Sequence, residues 1–236
     1  MLFNSNKLGY RPIIKRNPPD LSEFDIAGIG CIPSELAYKL LNGYAKEYPY
    51  LFYKGDVDLL SKSIVSVVGT RNPSMKGIEK TTRVAATLVS EGYIVMSGLA
   101  KGIDTVAHET TLRQNGKTIA VLGTPLTKIY PAKNKKLADN ISKTGLLLSP
   151  SLPDETFGKH LFPRRNKLMA RLSIATIIIE AGETSGVIHQ AAECQRQGKI
   201  IIFLKSLVDK VTWANSFIKN GAHVIDTPKD LKELLK

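Results

Sequence analysis

Ile64-Val65-Ser66-Val67-Val68-Gly69-Thr70-Arg71 sets the pattern of this chain: a short apolar strand ends in a glycine turn, and a helix opens a few residues later. The unit recurs. Tyr93–Met96 leads into Ser97-Gly98-Leu99-Ala100-Lys101-Gly102-Ile103-Asp104, and Ala175–Ile179 leads into Glu180-Ala181-Gly182-Glu183-Thr184-Ser185-Gly186. Further strand-like runs fall at Thr118–Leu122, Leu146–Leu148, Ile200–Leu204 and Ala222–Ile225. Helical stretches are expected near Gly77–Glu91, Ile103–Asn115, Lys133–Lys143, Asn166–Ser173, Gly186–Gln197, Trp213–Lys219 and Lys229–Leu235. Unbroken apolar runs such as Ile177-Ile178-Ile179 suit strands covered by helices on both faces. Strands separated by helices imply right-handed crossovers, hence an α/β fold with a doubly wound, mostly parallel sheet. Ligands of such sheets bind at the carboxyl ends of the strands, where these turns emerge.

Residues 1–61 read differently, as a small helical or irregular N-terminal extension before a main domain at 62–236. Pro12, Pro18, Pro19 and Pro33 punctuate it, and only Glu35–Ala45 has helical spacing, with Leu36, Leu40 and Leu41 on one face. Tyr48–Asp56 reads as an extended lead-in whose aromatics pack on the main domain; base stacking is the other role open to such a run.

The chain has 236 residues, and 33 Lys+Arg against 21 Asp+Glu give it a formal net charge of +12, which favours an acidic partner such as nucleic acid. Cys31 and Cys194 stand far apart and read as reduced core thiols. The N-terminus lacks the charged-then-apolar run of a signal peptide, and no apolar segment approaches the roughly 20 residues that span a bilayer. A soluble, cytoplasmic protein with no membrane partner is expected.

Four segments concentrate the chemistry. Gly69 and Arg71 follow the first strand, without the spacing of a dinucleotide fingerprint or a Walker loop; Arg71 suits either a phosphate or a carboxylate at the sheet edge. Ser97, Gly98, Lys101 and Gly102 form the second turn. Asp104 and His108, four residues apart, suggest acid–base work or a metal site, but a carboxylate that orients a buried imidazole explains them more simply, and no second ligand pair has metal spacing. In Phe162-Pro163-Arg164-Arg165-Asn166-Lys167, three cations surround an asparagine at a helix start where the dipole is already positive, an arrangement that makes sense if an anion arrives there. Ser185 and Gly186 offer a hydroxyl and free N–H groups at another helix N-terminus, for a cap or a ligand. Glycines would let phosphate approach the backbone, and no nucleophile-and-base arrangement is present. The expected binding set is therefore Gly69, Arg71, Ser97, Gly98, Lys101, Gly102, Arg164, Arg165, Asn166, Lys167, Ser185 and Gly186, with no catalytic residue, cofactor or metal.

Val-Gly-Thr-Arg, Ser-Gly-Leu-Ala-x-Gly-Ile-Asp-x-x-Ala-His, Ile-Ala-Val-Leu-Gly, Tyr130-Pro131-x-x-Asn134, Phe-Pro-x-Arg-Asn and Glu-Ala-x-x-x-Ser-Gly occur here in one order and spacing. Between about Tyr48 and Ala222 the chain thereby resembles the DNA-processing protein A family, also called Smf, whose Rossmann-like domain belongs to a larger nucleotide-binding superfamily. The resemblance implies a dimeric, non-enzymatic binder of single-stranded DNA that protects strands and helps load a RecA-type recombinase during DNA uptake. It implies further that Arg71 contacts DNA phosphate, that Ser97, Gly98 and Lys101 form the family's second glycine turn, and that Arg165, Asn166, Ser185 and Gly186 belong to its later motifs. The dimer interface is expected around Ile200–Ile225. There are departures. Leu148-Ser149-Pro150-Ser151-Leu152-Pro153 replaces Leu-Ser-Glu-Tyr-Pro, Ser185-Gly186-Val187-Ile188-His189-Gln190-Ala191 replaces Ser-Gly-Ser-Leu-x-Thr-Ala, and Lys205-Ser206 stands for Pro-Gly. The family's C-terminal winged helix is expected to be absent. A second reading, a nucleotide-derivative sensor or phosphoribohydrolase of the same superfamily, meets the lack of that group's Pro-Gly-Gly-x-Gly-Thr-x-x-Glu motif.

Overall fold

A computed structural model describes residues 28–32, 37, 39, 41, 48 and 50–235. Among these, nine strands form one sheet: β1 (Gly30–Ile32), β2 (Leu51–Gly55), β3 (Ile64–Val68), β4 (Ile94–Ser97), β5 (Thr118–Val121), β6 (Leu146–Ser149), β7 (Ala175–Ile178), β8 (Ile200–Leu204) and β9 (His223–Ile225). Their order is β1-β2-β6-β5-β4-β3-β7-β8-β9. Strands β3 to β9 pair in parallel, as the strand–helix alternation requires. Strands β1 and β2 extend the β6 edge antiparallel, Phe52 opposite Ser149 and Gly55 opposite Leu146. The extended lead-in is thus part of the sheet. Its aromatics Tyr48 and Phe52 take the packing role and are buried, as is Leu51. Of the helix expected over Glu35–Ala45, only residues 37, 39 and 41 are described, with Ala37 and Leu41 buried, and the call on Leu36 and Leu40 lies outside the described residues.

The connecting helices are α1 (Met75–Ser90), α2 (Ile103–Arg113), α3 (Lys135–Thr144), α4 (Leu161–Leu172), α5 (Val187–Arg196), α6 (Lys205–Val208), α7 (Ala214–Lys219) and α8 (Pro228–Leu234). Strand period sorts them into two layers. Val65, Val67, Val95 and Ile177 point to one face, where they join Val84 and Leu88 of α1, Ile103 and Ala107 of α2 and Leu231 of α8. Their neighbours Ile64, Val68, Met96 and Ile178 point to the other face, against Leu168 and Met169 of α4, Ala191 and Cys194 of α5, and Phe217 of α7. Burial makes the Cys194 thiol inert, pushing it up to about 11.

Helix α4 begins at Leu161, five residues before the expected Asn166, so Pro163 lies in its first turn. Proline is tolerated there because those N–H groups have no intrahelical acceptor. The chain runs outward from β3 through β4, β5 and β6, then α4 carries it back to β7 on the other side of β3. That reversal opens a crevice at the carboxyl ends of β3 and β7, the topological switch point of a doubly wound sheet.

Candidate nucleic-acid interface

Two adjoining cavities fill this crevice. The larger, of about 580 Å³, is lined by Gly69, Arg71, Arg165, Asn166, Ser185 and Gly186, together with Asp104, His189 and Gln190. The smaller, of about 240 Å³, is lined by Arg71, Asn72, Gly98, Lys101, Tyr130, Phe162 and Arg165. Arg71, Ala100, Phe162 and Arg165 belong to both, which makes the two one groove. Eight of the twelve expected residues line it. Ser97, Gly102, Arg164 and Lys167 do not.

Arg165 is the centre of the arrangement, and it does not project from an exposed helix end as the sequence suggested. It is buried, with Nη1 donating to the carbonyls of Gly98 at 2.6 Å and Val121 at 3.0 Å, and Nε donating to Asn166 Oδ1 at 2.9 Å. A carbonyl-bound guanidinium in a dry wall needs a counter-charge, which Asp104 supplies. Burial pushes the Arg165 guanidinium down and the Asp104 carboxyl up from their ordinary values, and the charge of each partner opposes that shift in the other. Arg71 acts in the opposite sense: its positive charge lowers Arg165 further. Exposed Arg71 has no carboxylate partner among the described residues and lies with its Cζ 6.0 Å from the Phe162 ring centroid. Two like charges therefore share one groove wall. The ion pair with a sheet-edge carboxylate, the other option for Arg71, is not formed.

The glycines have a different use from the one expected. A Cβ on Gly98 would lie 1.7 Å from Arg165 Nη1, so the missing side chain makes room for the guanidinium. Gly102, at φ +82°, has no room for a Cβ either, which would meet the Thr70 carbonyl at 2.4 Å. Close packing of the first and second turns positions Arg71. Gly186 is different, with no atom within 4 Å of the place a Cβ would take.

Asp104 does not orient His108, contrary to expectation. Its Oδ2 accepts from the N–H groups of Gly98 at 3.1 Å and Ala100 at 3.3 Å, holding the second turn under Arg165. His108 Nδ1 lies 2.7 Å from Thr118 Oγ1, and because that hydroxyl donates to the Val95 carbonyl, Nδ1 carries the proton and donates. Burial, helped by the Arg165 charge, pushes the imidazole down to about 3, so it is neutral. Ser97 and Arg164 leave the groove-facing set because their polar groups are engaged inside the protein. The Ser97 hydroxyl donates to the Val67 carbonyl, and Arg164, largely buried, donates to the Pro150 carbonyl and pairs with Glu155 at 3.3 Å. Ser185 Oγ accepts from Val187 N at 3.3 Å, so it caps α5 and still has its proton to donate outward.

Glu180 and Glu183, the carboxylates of the turn after β7, are engaged in holding loops. Glu180 Oε2 accepts from Ser74 N and Oγ at the start of α1, and Glu183 accepts from Thr212 N and Oγ1. Neither lines the groove. Among the described residues no group of three or more His, Cys, Asp or Glu is placed to hold a metal ion, and no helix is long and apolar enough to cross a membrane.

Sequence reasoning missed the aromatic rim, although Tyr130 and Phe162 stood inside quoted motifs. Tyr130, Phe157 and Phe162 cluster with centroids 5.3–6.2 Å apart. Asn134 was also missed as a positioning residue: its Nδ2 donates to the Leu99 carbonyl at 2.9 Å and Thr105 Oγ1 at 3.0 Å, tying the Tyr130 loop to the second turn.

The fold and groove define a doubly wound α/β protein with a cationic, aromatic-rimmed cleft at its switch point. Residues 32–236 match the family of DNA recombination-mediator protein A, and the chain belongs to that family. It is 38% identical over 183 residues to the DNA processing protein DprA of Streptococcus pneumoniae, covering 77% of this chain and 64% of that protein. The structure of the pneumococcal protein superposes with a TM-score of 0.78 at 33% identity, over 89% of this chain and 76% of that one. The Helicobacter pylori DNA processing protein A, whose structure concerns a single-stranded DNA binding mode, superposes with a TM-score of 0.76 at 29% identity, over 88% of this chain and 95% of that one. The chain thus spans just under two thirds of the length of its pneumococcal relative.

Proposed function

We propose that this chain is a single-stranded DNA-binding accessory protein of recombination, which holds and protects a strand in the groove and helps pass it to a RecA-type recombinase. One observation carries the reading. Arg71 and Arg165 share a single wall in which each charge opposes the other, and a polyanion relieves that opposition by passing between them. Lys101 extends the positive wall, and the Asn166 amide, its oxygen held by Arg165, has its N–H groups left for a ligand. The two cavities join through Arg71, Ala100, Phe162 and Arg165, which suits a continuing strand better than one small nucleotide. The Helicobacter pylori DNA processing protein A, whose structure concerns a single-stranded DNA binding mode, supports the same substrate.

The nucleotide-hydrolase reading is weaker on specific grounds. Base release from a nucleotide needs a carboxylate facing the sugar, and Glu180 and Glu183 are engaged elsewhere, while Asp104 is fixed by two N–H groups and by Arg165. We therefore infer a binder with no catalytic turnover, acting in the cytoplasm. Self-association through the β8–β9 edge fits the exposed Val224 on an edge strand, and a second copy would lengthen the track.

Titration of labelled oligonucleotides tests the reading. Single strands should bind more tightly than duplex with little sequence dependence, and log affinity should fall with log salt at about −0.7 per neutralised phosphate. Tighter duplex binding, or release of free base from nucleoside monophosphates, would replace it with another function.

A further inference from the structure

Helix α1 carries its charges in the reverse of the order that would stabilise it. Lys76 stands in the first turn, which holds no acid, and the last turn holds no base; a helix dipole favours the opposite arrangement. Lys76, Lys80 and Arg83 follow one another at spacings of four and three residues, so they form a row on one flank, beside the face on which Thr81, Val84 and Leu88 are buried. Like charges at those spacings destabilise a helix. Lys76 and Arg83 are exposed and Lys80 is half-buried, and none of the three makes an ion pair among the described residues. Glu79 stands four residues before Arg83 without pairing with it, and the Glu180 carboxylate, which sits over Gly77, is held by Ser74 N and Oγ. On α3 the outcome is different, because Lys135 finds Asp139 of its own helix at 3.0 Å.

The row begins where the groove ends. Arg71 and Asn72 line the groove, the chain turns through Pro73 and the Ser74 cap, and Lys76 lies five residues beyond Arg71. At 1.5 Å per residue the row then descends by about 6 Å to Lys80 and about 10 Å to Arg83, away from the carboxyl ends of the strands. A matching occupant carries negative charges at short, regular intervals and is continuous with whatever lies at Arg71. An acidic peptide meets the first condition; a phosphate backbone already held in the groove meets both.

Resting on the single-strand reading above, we propose that Lys76, Lys80 and Arg83 form an exit track, along which a strand that leaves the groove past Arg71 lays its backbone on the flank of α1, outside the crevice. Helix α1 has no aromatic residue on which a base could stack. The track therefore contacts phosphate alone, and it adds affinity with strand length and no sequence preference.

The test is titration of labelled oligothymidylates of increasing length against the full chain, Arg71→Ala, the row variant Lys76→Ala/Lys80→Ala/Arg83→Ala, and a control that loses the same charge at the opposite pole, Lys62→Ala/Lys117→Ala/Lys143→Ala. These control lysines are exposed, before β3, before β5 and in the last turn of α3. Wild-type affinity should rise with length beyond the strand that fills the groove. The row variant should bind short strands as wild type does and lose that added affinity, with the salt slope on long strands reduced by about 0.7 per cation, or about 2 for the three. At about 0.1 M salt this is a weakening of up to about 100-fold. Arg71→Ala should weaken short and long strands alike. The Tm of the row variant should not fall, since its substitutions remove repulsion. If the row variant keeps wild-type affinity and slope on long strands, or weakens short and long strands equally, the track is wrong and the groove reading stands. An equal loss in the control variant would assign the effect to net charge and overturn the track. If wild type binds no strand of any length, the single-strand reading fails and the track fails with it.

Discussion

Arg71 and Arg165 belong to one groove, yet their substitution should have opposite signatures. Arg71 is exposed and makes no ion pair among the described residues, so Arg71→Ala should change stability by no more than about 0.5 kcal/mol. Its effect should appear in binding, as weaker association with all strands and a salt slope reduced by about 0.7. Arg165→Ala removes donors from the Gly98 and Val121 carbonyls and from Asn166, and it takes the counter-charge from Asp104, which is 5% exposed. Losing one partner of a buried charge pair costs about 3–5 kcal/mol, mostly because the other charge remains. For a domain of this size that is a fall of roughly 6–20 °C in Tm. Arg165→Met paired with Asp104→Leu should recover part of the loss, since neither charge is then left buried alone. Differential scanning calorimetry and urea unfolding read the effect directly. An Arg165→Ala variant with wild-type Tm would refute the reasoning, because it would mean that the guanidinium is a surface group and Asp104 has another partner.

Gly98→Ala should behave as a milder Arg165 variant, destabilised by a few kcal/mol, since its Cβ would overlap Nη1; wild-type stability by urea unfolding would show that the guanidinium can move away freely. His108 should make the fold acid-sensitive. Its folded value of about 3 lies below the unfolded 6.5, so the unfolded chain alone binds a proton between them, and stability should drop by about 1.4 kcal/mol per unit as pH falls through that window. His108→Gln should remove this component, and equal acid slopes for both proteins in urea unfolding would show that the imidazole reaches water; taking the difference cancels the opposite contribution of Asp104. Val224→Lys on β9 should shift a dimer toward monomer in sedimentation velocity, while unchanged association would place the interface elsewhere.

The sheet was legible because its signal is local: buried strands need unbroken runs such as Ile64–Val68 and Ala175–Ile179, and glycine turns mark their ends. Elements that depend on remote partners were not. Leu51–Gly55 reads as an extended run, but only pairing with β6 makes it a strand of the sheet. The start of α4 was placed late, at Asn166, although Pro163 marks a first turn and the helix begins at Leu161. Arg165 looked like a surface cation. Its acceptors at Gly98 and Val121 lie 67 and 44 residues away, and nothing in the motif reveals that the side chain turns inward. The spacing of Asp104 and His108 placed both on one helical face, yet each found a closer partner off the helix. The aromatic rim escaped because its three rings come from three segments.

The helix N-termini around the crevice differ in how far acids close them. At α1, Ser74 Oγ already accepts from Gly77 N at 3.0 Å, and the Glu180 carboxylate is held by Ser74 at 3.0 Å through both N and Oγ. A carboxylate in that place meets the positive end of the helix and repels a phosphate. At α2, Asp104 occupies the first turn and is tied to the second glycine turn. The N-terminus of α5 opens toward the groove without a carboxylate on its cap, with Gly186 in open space and Ser185 beside it. With the first two helix ends closed by acids, the proposed phosphate contacts rest on side-chain cations along the wall, chiefly Arg71 above Arg165. On the proposed reading, a chain of phosphates would engage these separated cations together, which a single mononucleotide would not.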